Sequence, residues 1–497
     1  MTSQTTPSPP SIASPQFPTI RTGSDALSAH RVGMPTSDKP PVLSANLLHR
    51  VRTWYSEIGG PALQTIDPEL ATRTEPWLGA PDSRGDSDEG AVLVVGSAGI
   101  GKATLLNALL SERLILLPQG GIGPHTARSV RFRYARDPFL RVSYRGPDWF
   151  ISLLKHLEDT SPLPPDVIAF ARLLITGSQY STADRGYLAR MLRACLQSPS
   201  APLPEPQCQP DAERILRVRR CLETHSTTGV FHQPAGIDLP AFLRALRDHT
   251  AGNLAPITSD ATVGWDAEFL STGLTLHLLP GVGVANDHVT RHRNISLPPS
   301  HRLLLVVDRS GLTDAVIQLI DQLGFLDHLL NPHSSIPIAL LVAVVKLDLV
   351  ADESRLAPND DRESSGWFTR LEAACKQSRT LVRAQMRSVL HRKPTNVVPE
   401  RTDLALCRIT VQPVLPLEYR KIHLSDEDDP PRLRCPKSTH VPAILEILHH
   451  WGLEDASLQT YRVVRRLTHV AKSHPFHKTS QMALRRLQQM ILSGRTK

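Results

Sequence analysis

Seven consecutive residues, Gly96-Ser97-Ala98-Gly99-Ile100-Gly101-Lys102, have the types and spacing to hold a phosphate. Glycines let a backbone wrap an anion without Cβ clashes, so amide N–H groups and the start of a following helix can face it. A lysine at the end of such a loop adds a point charge for the β and γ phosphates of a nucleotide. At ordinary glycine and lysine frequencies this spacing arises by chance in roughly one chain of this length in seven. Its placement makes the difference: the run AVLVV precedes it and KATLLNALL follows, a strand and a helix by pattern.

The loop departs from the usual rule at one position. A Ser or Thr after the lysine supplies a hydroxyl to Mg²⁺. Here Ala103 stands there, and Thr104 is turned about 100° away around a helix. A second segment, VAVVKLDLV, carries Lys346-Leu347-Asp348 at the end of the longest apolar strand. A carboxylate at this place can accept two hydrogen bonds from guanine N1–H and its exocyclic amine, a donor pair adenine lacks. Val345 replaces the Asn or Thr that ordinarily precedes the lysine. A third segment reads Leu278-Leu279-Pro280-Gly281 where D-x-P-G is the working pattern. Gly281 can offer its N–H to a γ-phosphate, but Leu278 cannot hold a magnesium-bound water as Asp does. Thr126, in the segment PQGGIGPHTARSVRFRY, is the candidate for a threonine that closes on the nucleotide.

These residues need a scaffold of strands with loops at one edge. Strand patterns fall at 91–95, 130–134, 140–144, 274–278, 303–307, 338–345 and 408–412. Runs such as LLLVV and IALLVAVV suit a sheet buried on both faces. Helical patterns alternate with them, at 102–110, 313–323 and 441–449, which predicts an α/β fold with a mostly parallel sheet. Residues 146–262 break the alternation with helical runs at 149–157, 167–174, 183–196, 212–222 and 239–247, and read as a helical insertion. Before the first strand, Ser44 is a plausible N-cap for a helix that places Leu47, Val51, Trp54 and Ile58 on one face. Gly59-Gly60 is expected to end it. Near the other end Leu458, Tyr461, Val464, Leu467 and Ala471 form an apolar stripe, expected to pack on that first helix, and Met482 to Leu492 offers a second one.

Composition narrows the partners. The chain has 497 residues, 42 of them Pro, and 5% aromatics. Its net charge is +8, but nine Lys or Arg and no Asp or Glu lie between residues 456 and 497. Without them 47 basic residues face 48 acidic ones, so the body gives no reason to expect nucleic acid. The basic tail alone keeps open a weak membrane or nucleic-acid contact. The apolar run 338–345 is far short of the roughly 20 residues that cross a bilayer. The N-terminal segment has neither a basic start nor an apolar core, which predicts an intracellular protein, nuclear or cytoplasmic. Six cysteines show no CxxC pair or zinc spacing and read as free thiols.

In order along the chain stand the phosphate loop with LLNALL, LLPQGGIGPHTA before RFRY, LPGVGVAND, VVDRSGLTD, VVKLD, and VQPVLPLEYRKI before STHVPAILEILHHWG. Together these resemble the dynamin superfamily, nearest to the nuclear GTPase SLIP-GC-like type, over residues 46–455. The resemblance implies a three-layer P-loop GTPase domain with a short flanking helical bundle. It also implies that Gly96 to Lys102 bind phosphates, with Ala103 and Thr104 opening the helix. Lys102 and Thr126 are then the catalytic candidates, Gly281 the switch II glycine, and Lys346 and Asp348 the guanine contacts. Leu415 to Leu417 fall in the last loop beside the base. The expected ligand is GTP or GDP, without the usual Mg²⁺ ligands, in a homodimer across the nucleotide face. The expected organisation is an unstructured segment at 1–43, a flanking helix at 44–60, the GTPase domain at 88–455 and a basic helical tail at 456–497. Hydrolysis is expected to be weak or lost, the alternative being a pseudo-GTPase that works as a scaffold.

Overall fold

The structure is a computed structural model that describes residues 42–78, 91–118, 129–145, 147–158, 185–198, 200–202, 209–224, 230–234, 238–252, 254–255, 257–279, 281, 302–331, 338–353, 363–393, 399–424 and 429–473. All of them belong to one compact unit, Lys39–Lys497.

Nine strands form one sheet: β1 (Ala91–Val95), β2 (Val130–Tyr134), β3 (Phe139–Tyr144), β4 (Val230–Pro234), β5 (Thr258–Trp265), β6 (Thr275–Leu278), β7 (Arg302–Val307), β8 (Ala339–Val344) and β9 (Ile409–Pro413). Their order is β4-β3-β5-β2-β6-β1-β7-β8-β9. The half from β6 to β9 is parallel throughout, while β2 meets β6, and β3 meets β4 and β5, antiparallel. The expected mostly parallel α/β sheet is present.

The helices described before β1 are α1 (Ala45–Trp54), α2 (Gly60–Ile66) and α3 (Pro68–Leu78). After β1 come α4 (Lys102–Leu110), α5 (Pro147–Glu158), α6 (Arg185–Cys195), α7 (Gln209–Thr224), α8 (Leu239–Thr250), α9 (Asp314–Gln322) and α10 (Phe325–Leu330). The rest are α11 (Leu347–Glu353), α12 (Glu363–His391), α13 (Pro399–Cys407), α14 (Pro416–Leu424) and α15 (Val441–Ser473).

Alternation along β1 shows why there are three layers. Val92 and Val94 pack with α4, α8 and the start of α15, whereas Leu93 and Val95 pack with α9, α10 and α12 on the other face. Both faces of β1 are buried, so its five residues are apolar without exception.

Helices α5 to α7 form their own core around Phe150, Tyr187, Leu192 and Val218. Fully buried Arg219 ties it together: Nε donates to Ala194 O, Nη1 to Ala201 O at 2.7 Å, and Nη2 to Gln197 Oε1 at 2.9 Å. The stretch 146–262 is not purely helical, however. It also supplies β4 and the start of β5, and β5 sits between β2 and β3 in the main sheet. Both strands are mixed in polarity, β4 is only five residues long, and β5 alternates only at its first residues (burial follows TSDATVGW as buried, exposed, intermediate, then buried), so no period-2 signal stands out. The run at 167–174 lies outside the described residues.

The flanking helices differ from expectation in one respect. Gly59 and Gly60 do not end α1. The chain continues through a π-helical turn, Tyr55–Gly59, directly into α2. The glycines serve packing: a Cβ on Gly59 would lie 2.4 Å from the Trp54 ring, and one on Gly60 would lie 3.0 Å from Tyr55 O. Leu48, Val51, Tyr55 and Leu63 from this side pack with Ala456, Val463, Val464 and Leu467 of α15. Arg466 Nε adds a 2.9 Å bond to Asp67. Residue 456 thus falls inside one continuous 33-residue helix whose first turns serve the sheet and whose later turns serve the bundle. The stripe at 482–492 lies outside the described residues, and no described helix is long and apolar enough to cross a membrane.

Candidate functional site

The C-terminal ends of β1, β6, β7, β8 and β9 bring five loops to one edge of the sheet, the place where open α/β sheets bind ligands. The loop after β1 starts at Gly96, where a Cβ would lie 2.5 Å from Val306 O. It ends at Gly101, whose φ of 115° is disfavoured for residues with a side chain. Helix α4 then begins at Lys102 with no side chain capping its N-terminus. Its first amides therefore point out at the loop, where an anion would be stabilised. Lys102 is buried, and its ammonium donates to Gly96 O and Ser97 O, each at 2.9 Å. Burial pulls its pKa down to about 8. Ser97, Ala98, Gly99 and Ile100 make up the arch between, and Thr104 lies half-buried in the first turn of α4.

The loop after β8 is held by Val345 N donating to Val307 O at 2.8 Å. Lys346 adopts φ 61°, a left-handed conformation that costs a non-glycine residue about 1 kcal/mol. The turn sends its side chain across to the first loop, where Nζ donates to Gly99 O at 2.8 Å. It also places Asp348 in the first turn of α11. Burial raises the Asp348 pKa, opposed by hydrogen bonds from the amides of Leu349 and Asp348 and reinforced by the carboxylates of Glu418 and Asp352. The two sequence elements thus meet in space.

Two further loops lie along the same edge. After β7, Thr313 caps α9, and its hydroxyl lies 3.4 Å from Ser97 Oγ. That loop is braced by Gln385 of α12, which accepts from Leu312 N at 2.8 Å and donates to Ser310 O at 3.2 Å. Sequence reasoning missed both. The Thr313-Asp314 cap is a local signal that was available, but nothing local links Gln385 to residues 310–312. After β9, Leu415 N donates to Thr439 O at 3.0 Å, Leu417 is exposed, and buried Glu418 accepts from Arg432 N at 2.7 Å.

The loop after β6 brings Gly281 against the first loop: a Cβ there would lie 2.5 Å from Ala98 Cα and 2.7 Å from Ala98 N. Thr126 and Pro280 lie outside the described residues. The positions that would ligate Mg²⁺ do not suit it. Ala103 packs against the core, and Leu278 is fully buried between its strand partners Val94 and Val130. Neither side chain has an oxygen. Among the described residues no group of three His, Cys, Asp or Glu is arranged to hold a metal. A cavity of about 800 Å³ lies at the other end of α4, lined by Leu110, Glu112, Trp265, Glu268, Tyr419 and His449. It contains none of the loop residues above.

No protein-family profile matches the sequence, and no curated protein does. Among solved structures, two similar chains come from work described as an oligomerised bacterial dynamin pair that provides a mechanism for long-range sensing and tethering of membranes. Each matches with a TM-score of 0.43 at 13% identity over 90% of this chain. The match covers 50% of one and 58% of the other, so this chain spans little more than half their length. At that distance neither the activity nor the partners of those proteins transfer to it.

Proposed function

We propose that this chain is a guanine-nucleotide-binding protein of the dynamin-like type, with weak or lost hydrolysis. The observation that carries the reading is the 2.8 Å bond from Lys346 Nζ to Gly99 O. It brings the K-x-D element beside the glycine-rich loop, which supports reading the two as parts of one nucleotide site. Gly96 to Thr104 would take the phosphates, with Lys102 and the α4 N-terminus offsetting their charge. Asp348 would accept from the base. Gly281 and Thr126 keep the roles that the sequence resemblance implies.

Weak turnover is supported by Ala103 and Leu278, because phosphoryl transfer depends on a positioned metal to offset charge on the transferring group. The same two residues favour the second reading, a pseudo-GTPase that acts by binding. The resemblance to the SLIP-GC-like type further implies a homodimer across the nucleotide face.

The test is a titration of the full chain with fluorescent GTP and ATP analogues, with and without Mg²⁺. Guanine-selective binding that scarcely responds to Mg²⁺ supports the reading. Equal affinity for both bases defeats the guanine assignment, and no binding of either defeats the whole proposal.

A further inference from the structure

We propose that the cavity at the far end of α4 binds an aliphatic polyamine, at a site independent of the nucleotide reading. Strand β5 runs parallel to β2, and β2 antiparallel to β6, so β5 ends at the edge of the sheet opposite the glycine-rich loop. There the segment after β5, the end of α4 and the early turns of α15 surround a cavity of about 800 Å³, within the size range of small-molecule pockets. Leu110, Phe269, Leu445 and Trp265 give it apolar walls. Trp265 is held in place from two sides. Its ring stacks on Phe242 with centroids 6.1 Å apart, and its Nε1 donates to Leu110 O at 3.0 Å. This wall stands ready without rearrangement.

Charge selects the ligand. Among the described lining residues, the carboxylates of Glu112, Asp266, Glu268 and Glu446 face one guanidinium, that of Arg113. Glu112 accepts from the Tyr419 hydroxyl at 3.3 Å. Asp266, Glu268 and Glu446 are exposed, and among the described residues no side-chain hydrogen bond or ion pair engages their carboxylates. Charges of one sign beside low-dielectric walls concentrate counter-ions. A divalent metal does not suit the arrangement, because it gathers its oxygen ligands within about 2.6 Å. Among the described residues no three His, Cys, Asp or Glu converge in that way. Carboxylates spread around an apolar hollow call for a cation whose charges are spread likewise. The methylenes of a polyamine can lie on Leu110 and Leu445 while its ammonium groups reach separate carboxylates, as lysine stems lie on apolar surface with the charge in water. Glu446 belongs to α15, and Asp266 and Glu268 follow β5, so the bound polyamine ties α15 to the sheet.

Isothermal titration of the full chain with spermidine, at about 150 mM salt to screen exposed charges, tests this. Spermidine should bind with one-to-one stoichiometry and raise the melting temperature, and an equal concentration of Mg²⁺ should not displace it. Glu268→Gln combined with Glu446→Gln should weaken binding about 10-fold and leave the melting temperature of the free protein unchanged, since neither carboxylate has a partner to lose. Leu445→Ala keeps every charge and removes part of the wall, so it should also weaken binding; spermidine-induced melting shifts give the same ranking if this variant is too unstable to titrate. Absence of spermidine binding overturns the proposal. So does displacement by Mg²⁺, or binding that Leu445→Ala leaves unchanged, because either result reduces the cavity to a diffuse acidic surface. None of these outcomes bears on guanine-nucleotide binding, which is read at the other edge of the sheet.

Discussion

The ammonium of Lys346 donates to the carbonyl of Gly99 across 247 residues of sequence, joining the turn after β8 to the loop after β1. On the proposed reading, this bond ties the base side of the site to the phosphate side. A hydrogen bond from a charged donor contributes about 1.5–3 kcal/mol. Lys346→Met should therefore lower the melting temperature of the free protein and weaken guanine-nucleotide binding by about 10-fold or more, read by thermal melts and titration.

Asp348 is a half-buried carboxylate in the first turn of α11. Loss of a paired, desolvated acceptor costs about 1–3 kcal/mol. Asp348→Asn should lower GTP and GDP affinity by tens-fold and leave ATP, already weak, unaffected. An equal loss for both bases would remove Asp348 from the base site.

Phosphate release with GTP and Mg²⁺ should be slow or absent. Ala103→Ser restores one hydroxyl at the start of α4 and should introduce a measurable Mg²⁺ dependence of binding. Leu278→Asp is a different matter. It buries a carboxylate in the core between β1 and β2, and an unpaired buried charge costs several kcal/mol. That variant should melt far below wild type, and its activity would say little about the metal.

Lys102 makes binding pH-dependent. Burial lowers its pKa to about 8 in the free protein, below the ordinary lysine value of 10.5. Below pH 8 it is charged before and after a phosphate arrives. Above pH 8 the free protein has lost the proton, and binding must recover it. Affinity should fall as pH rises from 8 toward 10, and titrations at pH 9 in buffers of different ionisation enthalpy should reveal proton uptake. Binding that is flat across this range would place Lys102 away from the phosphates.

The flanking bundle should unfold with the sheet. Leu467 is 3% exposed among Leu48, Val51 and Leu63. Truncating a buried leucine costs about 2–5 kcal/mol, so Leu467→Ala should lower stability by that amount in denaturant titration, in a single transition. Separate transitions for bundle and sheet would show that α15 does not couple them.

The sequence by itself determined the local pieces of the site. Gly96 to Lys102 after an apolar strand, and Lys346 to Asp348 after another, were legible because each depends on a contiguous run whose neighbours set its backbone. Strands buried on both faces were legible for the same reason: without alternation, a short run of Val and Leu can satisfy only a covered parallel sheet. Expectations made from residues within one turn of each other held less well at the glycines. Gly59 and Gly60 looked like a stop signal, and only the Trp54 ring against Gly59 and Tyr55 against Gly60 show that they are there to make room. Strands β4 and β5 escaped notice because their partners, not their own pattern, make them strands. The brace from Gln385 to the loop at 310–312, the reach of Lys346 to Gly99, and the contact of Gly281 with Ala98 belong to the tertiary structure alone. Each joins residues more than 70 positions apart, and such pairings depend on strand order and register, which no local spacing encodes.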